Sequence, residues 1–408
     1  MRETSKKTLE HTIESQEIDC PLCESREFEP LYENKFRFWH DNELFLWLAR
    51  QVICKRCAMV YTNPQPSKES LEWYYETYSR FGEISASPRI SQLEFLSSHV
   101  SPDCKTLFDV GAFNGDLLLL ARDRGYEVSG VEPSLEACQE AAKKYGISIS
   151  HGFFNEQFVR QLSGSFDIVT IRHVLEHVRD PMEFLELAKR ITNPGKYIYV
   201  EVPDTERPWA EQLTDFFSFH HLLHFTQSSL RNLAARLGLR IIVMEPVPEI
   251  SAIRVLLQNE QERQKPLESG VEEMKHVMEE YQKKRTALLE KLRSRLDPQI
   301  KRLIIYGAGG HTSQLIQSGI LGERAIEAIV DSNPRKWNTF FEGHWVQSPE
   351  LLRKAKIPVL ISSYPFQEEI SAYLHHHFPH VQQIPLYERI VSYDTGIIQI
   401  HDNFHSPS

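Results

Sequence analysis

The stretch Leu107-Phe108-Asp109-Val110-Gly111-Ala112-Phe113-Asn114-Gly115-Asp116 decides the fold. It reads as an apolar strand closing on an acid, a glycine-containing turn and the start of a helix. Glycines at 111 and 115 let the backbone approach a ligand closely. A second strand follows and ends at Val128-Ser-Gly-Val-Glu132-Pro-Ser134, with Glu132 twenty-three residues after Asp109. A carboxylate at such a tip can accept hydrogen bonds from two ribose hydroxyls. Phe113 stands where a dinucleotide fingerprint places its middle glycine, which argues against a nicotinamide cofactor in this unit.

Working outward, apolar strand runs at 106–110, 127–131, 167–171 and 196–202 alternate with helical runs such as 115–124 and 134–145. Alternation of this kind predicts a mostly parallel sheet covered by helices on both faces. Residues 258–299 are charged and helical, and read as a spacer. A second strand–turn–helix pattern then begins at Leu303-Ile-Ile-Tyr306-Gly307-Ala-Gly309-Gly310-His311, and Asp331 ends its next strand. Upstream, Cys20-Pro-Leu-Cys23 and Cys54-Lys-Arg-Cys57 are two CxxC pairs thirty residues apart. Four thiolates in two tight turns complete a closed tetrahedral Zn²⁺ shell, a structural ribbon without catalysis. A redox role is disfavoured because neither pair lies in a βαβ context. Asn63-Pro-Gln-Pro66 marks a linker, and residues 67–99 read as helical and tyrosine-rich. The expected domains are a zinc ribbon at 1–66, a Rossmann-like sheet with its linker helices at 67–257, a helical linker at 258–299 and a second Rossmann-like domain at 300–408.

Composition narrows the function classes. Hydrophobic residues make up 41% of 408 and charged residues 25%, enough to build more than one core. The net charge of −10 makes the chain a poor partner for nucleic acid or anionic lipid. No apolar run suits a membrane span and the N-terminus has no apolar leader run, so a cytoplasmic location is expected.

A later segment points further. Phe166-Asp-Ile-Val-Thr-Ile-Arg-His173-Val-Leu-Glu-His177-Val-Arg-Asp180-Pro181 precedes Asn193-Pro-Gly195-Lys-Tyr-Ile-Tyr-Val-Glu-Val-Pro203. Together with the 107–116 loop, these residues resemble the class I S-adenosylmethionine-dependent methyltransferases. The resemblance implies that Asp109, Gly111 and Gly115 serve the methionine moiety and Glu132 the ribose. Phe153 or Phe154 would lie beside adenine, and His173 at the methyl end. The wider arrangement of ribbon, linker, core and second Rossmann-like half resembles the sugar C-methyltransferases, which act on nucleotide-linked keto-sugars. That family's Tyr-x-Glu-His segment falls on Ser218-Phe-His220-His221, with Asp215 as the upstream acid. The Tyr is replaced by Ser218 and the Glu by His220. Arg254 survives from the family's Gly-Gly-Ser-Leu-Arg-Val, while both glycines are gone. The resemblance therefore implies His221, His220, Asp215 and the linker's Tyr78 as acceptor-side groups, and Arg254 as a substrate contact. His177 reads as a packing group at a helix start and His224 as core-lining. In the C-terminal half, Gly307, Gly309, Gly310 and His311 would receive a nucleoside diphosphate. The family's lysine after this loop is missing until Lys336.

A base must remove a proton beside a ketone for C-methylation, whereas O-methylation needs only a deprotonated hydroxyl. An unperturbed histidine, with pKa near 6.5, suits either. Methylation of a macromolecule gripped by the ribbon, and a non-catalytic binding module, are the competing classes. A monomer or homodimer is expected, with the C-terminal half as the dimer surface.

Overall fold

A computed structural model describes residues 10–40, 43–71, 73, 87–248, 250–260, 267–388, 391–392 and 399–400. Tyr78 lies outside the described residues.

The ribbon opens with the short strands β1 (Glu10–Thr12) and β2 (Ser15–Gln16). Two long antiparallel strands follow, β3 (Phe28–His40) and β4 (Glu43–Cys54), then β5 (Val60–Thr62) and β6 (Gln65–Pro66). Each CxxC pair forms the same knuckle. The amide of Glu24 reaches the Cys20 carbonyl at 2.8 Å, and that of Ala58 reaches the Cys54 carbonyl at 2.9 Å. Glu24 and Ala58 each take a left-handed backbone, φ 61° and 54°, which turns the chain back.

Helix α1 (Ser87–His99) leads into the central sheet. Its elements, in chain order, are β7 (Thr106–Val110), α2 (Asp116–Asp123), β8 (Glu127–Glu132), α3 (Leu135–Tyr145), β9 (Ser150–His151), α4 (Glu156–Gln161), β10 (Phe166–Arg172), α5 (Pro181–Arg190), β11 (Thr192–Pro203), β12 (Leu223–His224), α6 (Gln227–Leu237), β13 (Arg240–Val247) and β14 (Ala252–Gln258). The spatial order is β13-β14-β11-β10-β7-β8-β9. β7 to β11 run parallel, while β14 is antiparallel to both β11 and β13. β10 and β11 run beyond the expected 167–171 and 196–202, and α2 and α3 match the expected helical runs. Strand β12 leaves this sheet and pairs with β5 of the ribbon, so ribbon and core share a seam.

Helix α7 (Val271–Ser294) corrects the expectation of a spacer. It buries Met274, Met278 and Tyr281 against Ile53, Val60 and Phe217, and Leu292 against the C-terminal core. The C-terminal half holds β15 (Arg302–Tyr306), α8 (Gly310–Gln317), β16 (Ala325–Val330), β17 (Phe340–Phe341), β18 (His344–Gln347), β19 (Val359–Ile361), α9 (Gln367–His377) and β20 (Gln383–Pro385). Its sheet order is β17-β18-β16-β15-β19-β20, parallel except at the β17 edge. No helix among the described residues is long and apolar enough to cross a membrane.

Candidate active site

In an open parallel sheet the ligand crevice forms at the carboxyl ends of the strands, where the strand order reverses. Here the order reverses between β7 and β10, on either side of which the connections lead to opposite halves of the sheet. The loop after β7 takes three left-handed positions, Gly111 (φ 72°), Phe113 (φ 49°) and Gly115 (φ 78°). A Cβ on Gly111 would lie 2.5 Å from Val174 Cγ2, so this residue also admits the turn after β10. The Gly111 and Ala112 amides bond the Val131 carbonyl at 2.9 and 3.1 Å, which ties the loop to the tip of β8.

At that tip Glu132 is buried, and each carboxylate oxygen accepts one backbone amide, from Ser134 at 2.8 Å and Phe113 at 2.9 Å. Each oxygen keeps a further lone pair, enough for two hydroxyls. Burial pushes the carboxyl's pKa up, against the two amide bonds that hold it down. These remaining acceptor positions suit the two hydroxyls of a ribose.

Asp109 is tied into the core. It is fully buried, with Arg172 Nη2 at 2.7 Å from Oδ2 and Thr170 Oγ1 at 2.6 Å from Oδ1. Arg172 also donates to Gln92 Oε1 at 3.1 Å. Gln92 in turn donates to Glu201 Oε1 at 2.6 Å, and Tyr199 donates to Glu201 Oε2 at 2.5 Å. Burial opposes the Glu201 charge, but contacts from His173, Tyr199 and Gln92 hold its pKa down to about 2. Asp109 thus organises a buried charge network. Arg89 of α1, also buried, joins it; burial and the Arg172 charge lower its pKa to about 10. None of Arg89, Gln92, Arg172, Tyr199 and Glu201 stood out in the sequence, since each is an ordinary polar residue until the strands bring them together.

His173 sits at the tip of β10 with a left-handed backbone, φ 52°. Its ring lies 3.4 Å from Glu176 and 3.3 Å from Glu201. Burial resists the charge, yet the two carboxylates push its pKa up to about 9. Phe154 packs in the core against Phe158 and Phe184, while its neighbour Phe153 is exposed.

His220 and His221 do come together, and His177 joins them. The three rings lie 4.8–4.9 Å apart, and His177 Nδ1 bonds the His220 carbonyl at 3.0 Å. The expectation that His177 merely packs is thereby replaced. Burial and the His177 charge lower the His220 pKa to about 3. Burial and the neighbouring imidazoles lower His221 well below 6.5. All three are half-buried. Asp215 is not beside them as an acid. Its carboxylate accepts Tyr32 Oη at 2.6 Å, Tyr281 Oη at 3.0 Å and the Phe217 amide at 3.0 Å. It is a knot joining the ribbon, the β11–β12 connection and α7. His224 lines the core as expected, edge-on to Phe217. Arg254 is likewise committed: it pairs with Glu245 at 2.5 Å and stacks 4.3 Å above Phe95.

The four cysteine sulfurs fit zinc. All are buried and lie within 4.8 Å of one another, with Cys20–Cys57 at 3.6 Å and Cys23–Cys54 at 3.5 Å. A tetrahedron with Zn–S of about 2.3 Å has edges of about 3.8 Å.

In the C-terminal half, a Cβ added at Gly307 (φ 110°) would lie 3.0 Å from the Ser362 carbonyl oxygen, while nothing crowds Gly309 or Gly310 at the start of α8. His311 is no phosphate group. Its two ring nitrogens bond Ser362 Oγ at 2.9 Å and Tyr387 Oη at 2.7 Å. Lys336, from beyond β16, reaches this loop: its Nζ lies 2.9 Å from the Ala308 carbonyl and 3.0 Å from Asp331.

Residues 80–243 match a model described as a methyltransferase domain, and residues 239–380 match a C-methyltransferase C-terminal domain. A ubiquinone biosynthesis O-methyltransferase of Chromobacterium violaceum is 30% identical over 112 residues, covering 26% of this chain and 48% of that one. Its counterpart in Pseudomonas paraeruginosa is 30% identical over 100 residues, covering 24% and 43%. The chain thus spans about half the length of these curated relatives. A SAM-dependent methyltransferase structure from Archaeoglobus fulgidus superposes with a TM-score of 0.37 at 15% identity, over 46% of this chain and 98% of that one. The chain carries a methyltransferase domain, followed by a C-methyltransferase C-terminal domain.

Proposed function

We propose that the chain transfers a methyl group from S-adenosylmethionine to a sugar carried on a nucleoside diphosphate. Carbon is the favoured acceptor atom. One chain pairs two ligand-type loops, and that observation carries the reading. The first is the β7 loop with Glu132 at the donor end. The second is the open Gly307–Gly310 loop at the N-terminus of α8, with Lys336 brought beside it. A helix N-terminus suits a diphosphate, and Lys336 would have to exchange its Asp331 partner for the phosphate to add its charge.

Glu132 orients the donor through its ribose, and Gly111 and Gly115 keep the loop close to the methionine chain. Arg89, buried in the charge network, suits the methionine carboxylate. The sulfonium is a good leaving group, so the protein's task is to align donor and acceptor, exclude water and manage one proton. The bond from methyl carbon to sulfur breaks with its electron pair staying on sulfur, while an acceptor carbon supplies the new pair. The imidazoles of His177, His220 and His221 line the β10 side where that charge develops. O-methylation, as the names of the ubiquinone-biosynthesis relatives suggest, would use the same donor site; the C-methyltransferase model over 239–380 favours carbon.

The test is to incubate the protein with S-adenosylmethionine and a panel of dTDP-, UDP-, GDP- and CDP-linked keto-sugars, and to analyse products by mass. One methylated nucleotide sugar is expected, with turnover falling about 10²-fold in His221→Ala. Methyl transfer to none of them, alongside intact S-adenosylhomocysteine binding, would refute the acceptor class.

A further inference from the structure

Three imidazoles from two separate segments converge just beyond β10. His177 belongs to the turn Leu175–His177, and His220 and His221 to the connection between β11 and β12. One ring nitrogen of each lies within 4.8 Å of the other two. The bond from His177 Nδ1 to a backbone carbonyl fixes that ring, as a second contact commonly does for a metal-ligating histidine. Glu176 stands beside the trio, 1% exposed, and neither of its oxygens accepts a hydrogen bond. Its Oε1 is 3.9 Å from His177 Nε2 and 3.4 Å from His173 Nδ1.

We propose that His177, His220 and His221 form a site for a divalent transition-metal ion, best matched by Zn²⁺, with a further position open to an oxygen of the methyl acceptor. The proposal rests on the acceptor reading above and refines the trio's part in it. Neutral imidazoles are the common ligands of Zn²⁺, and three protein ligands leave a catalytic-type open position. The four-cysteine site is closed by comparison. Bonds of about 2.0–2.1 Å in a tetrahedral arrangement need nitrogen–nitrogen edges of about 3.4 Å. The trio therefore closes on an ion by ring movements of about 1 Å. The backbone beneath it is already held. The Leu222 amide bonds the Glu176 carbonyl at 2.8 Å, and Thr62 Oγ1 of the ribbon bonds the His221 carbonyl at 3.2 Å. These two bonds tie both ligand segments to each other and to the ribbon. Glu176 supplies negative charge next to the cation without being one of the three ligands. The bound ion polarises the acceptor's oxygen, so the negative charge left when the acceptor loses its proton to water is held on that oxygen.

Metal content tests this. Protein stripped with a chelator and reconstituted with Zn²⁺ should hold two ions per chain, one on the cysteines and one on the trio. His177→Gln and His220→Gln should each hold one. With Co²⁺ the wild type should show thiolate-to-cobalt charge transfer together with ligand-field bands of a nitrogen–oxygen site. The histidine variants should lose only the latter. One ion per chain in the wild type, or two in both variants, overturns the proposal. Should a variant fail to fold, the cobalt spectrum of the wild type decides: thiolate bands alone overturn it. Calorimetry with S-adenosylhomocysteine separates the two claims. Donor binding with a single ion removes the metal and leaves the methyl-transfer reading standing. Two ions without donor binding remove that reading and leave the metal site.

Discussion

Arg172→Met breaks the charge network at its most buried point. Arg172 is 3% exposed and Asp109 is not exposed at all, so no water can replace the lost guanidinium. Asp109 would lose its 2.7 Å ion pair and keep only the Thr170 hydroxyl at 2.6 Å. Removing one partner of a fully buried pair costs about 3–5 kcal/mol, because the other charge remains. At about 2–4 °C per kcal/mol for a domain of roughly this size, the melting temperature should fall by about 6–20 °C. Thermal unfolding followed by circular dichroism measures it. The double variant Asp109→Asn with Arg172→Met removes both charges and should recover at least half of the loss. A shift below about 2 °C in the single variant, or a double variant no better than it, would show that Asp109 and Arg172 are not the coupled pair described here.

Three further outcomes are expected. Glu132→Ala should weaken S-adenosylhomocysteine binding by about 1–3 kcal/mol, or about 5- to 150-fold, by calorimetry; unchanged affinity would remove Glu132 from the ribose. Gly111→Ala should destabilise the domain by about 1–3 kcal/mol in denaturant titration, since its Cβ meets Val174 at 2.5 Å and φ is 72°. Adding Val174→Ala should relieve the clash but not the backbone strain. His173 has a raised folded pKa of about 9, so its stabilisation is complete below an unfolded value of about 6.5 and is lost as pH rises through 9. The stability of His173→Gln relative to wild type should therefore improve between pH 6.5 and 9.5, and a constant difference would contradict the pairing with Glu176 and Glu201.

The parts of this fold legible in the sequence were those with local signals. The glycine turn at 107–116, the acid at 132 and the two CxxC knuckles each state their geometry within a dozen residues. What the sequence did not disclose depends on residues brought together from far apart. Asp109 looked like a ligand group because its motif says so, but its carboxylate is claimed by Arg172, 63 residues away. Asp215 looked like a catalytic acid, yet it ties Tyr32 to Tyr281. His311 occupies a loop position where a phosphate contact is expected, and two distant hydroxyls consume both of its nitrogens. The same blindness hid His177, which reads as a packing residue until His220 and His221 fold over it. Helix α7 shows the converse: its charged composition suggested a solvated spacer, while the apolar stripe Met274, Met278 and Tyr281 binds it to the ribbon.

The claim that a nucleotide-linked acceptor is held by the C-terminal half is met most directly by calorimetry. Protein saturated with S-adenosylhomocysteine should be titrated with dTDP, UDP, GDP and CDP. The account predicts tight binding of one of them, weakened when Lys336 is changed to Ala. Binding of none, with the donor product in place, would make the Gly307–Gly310 loop a scaffold and contradict the proposed substrate class.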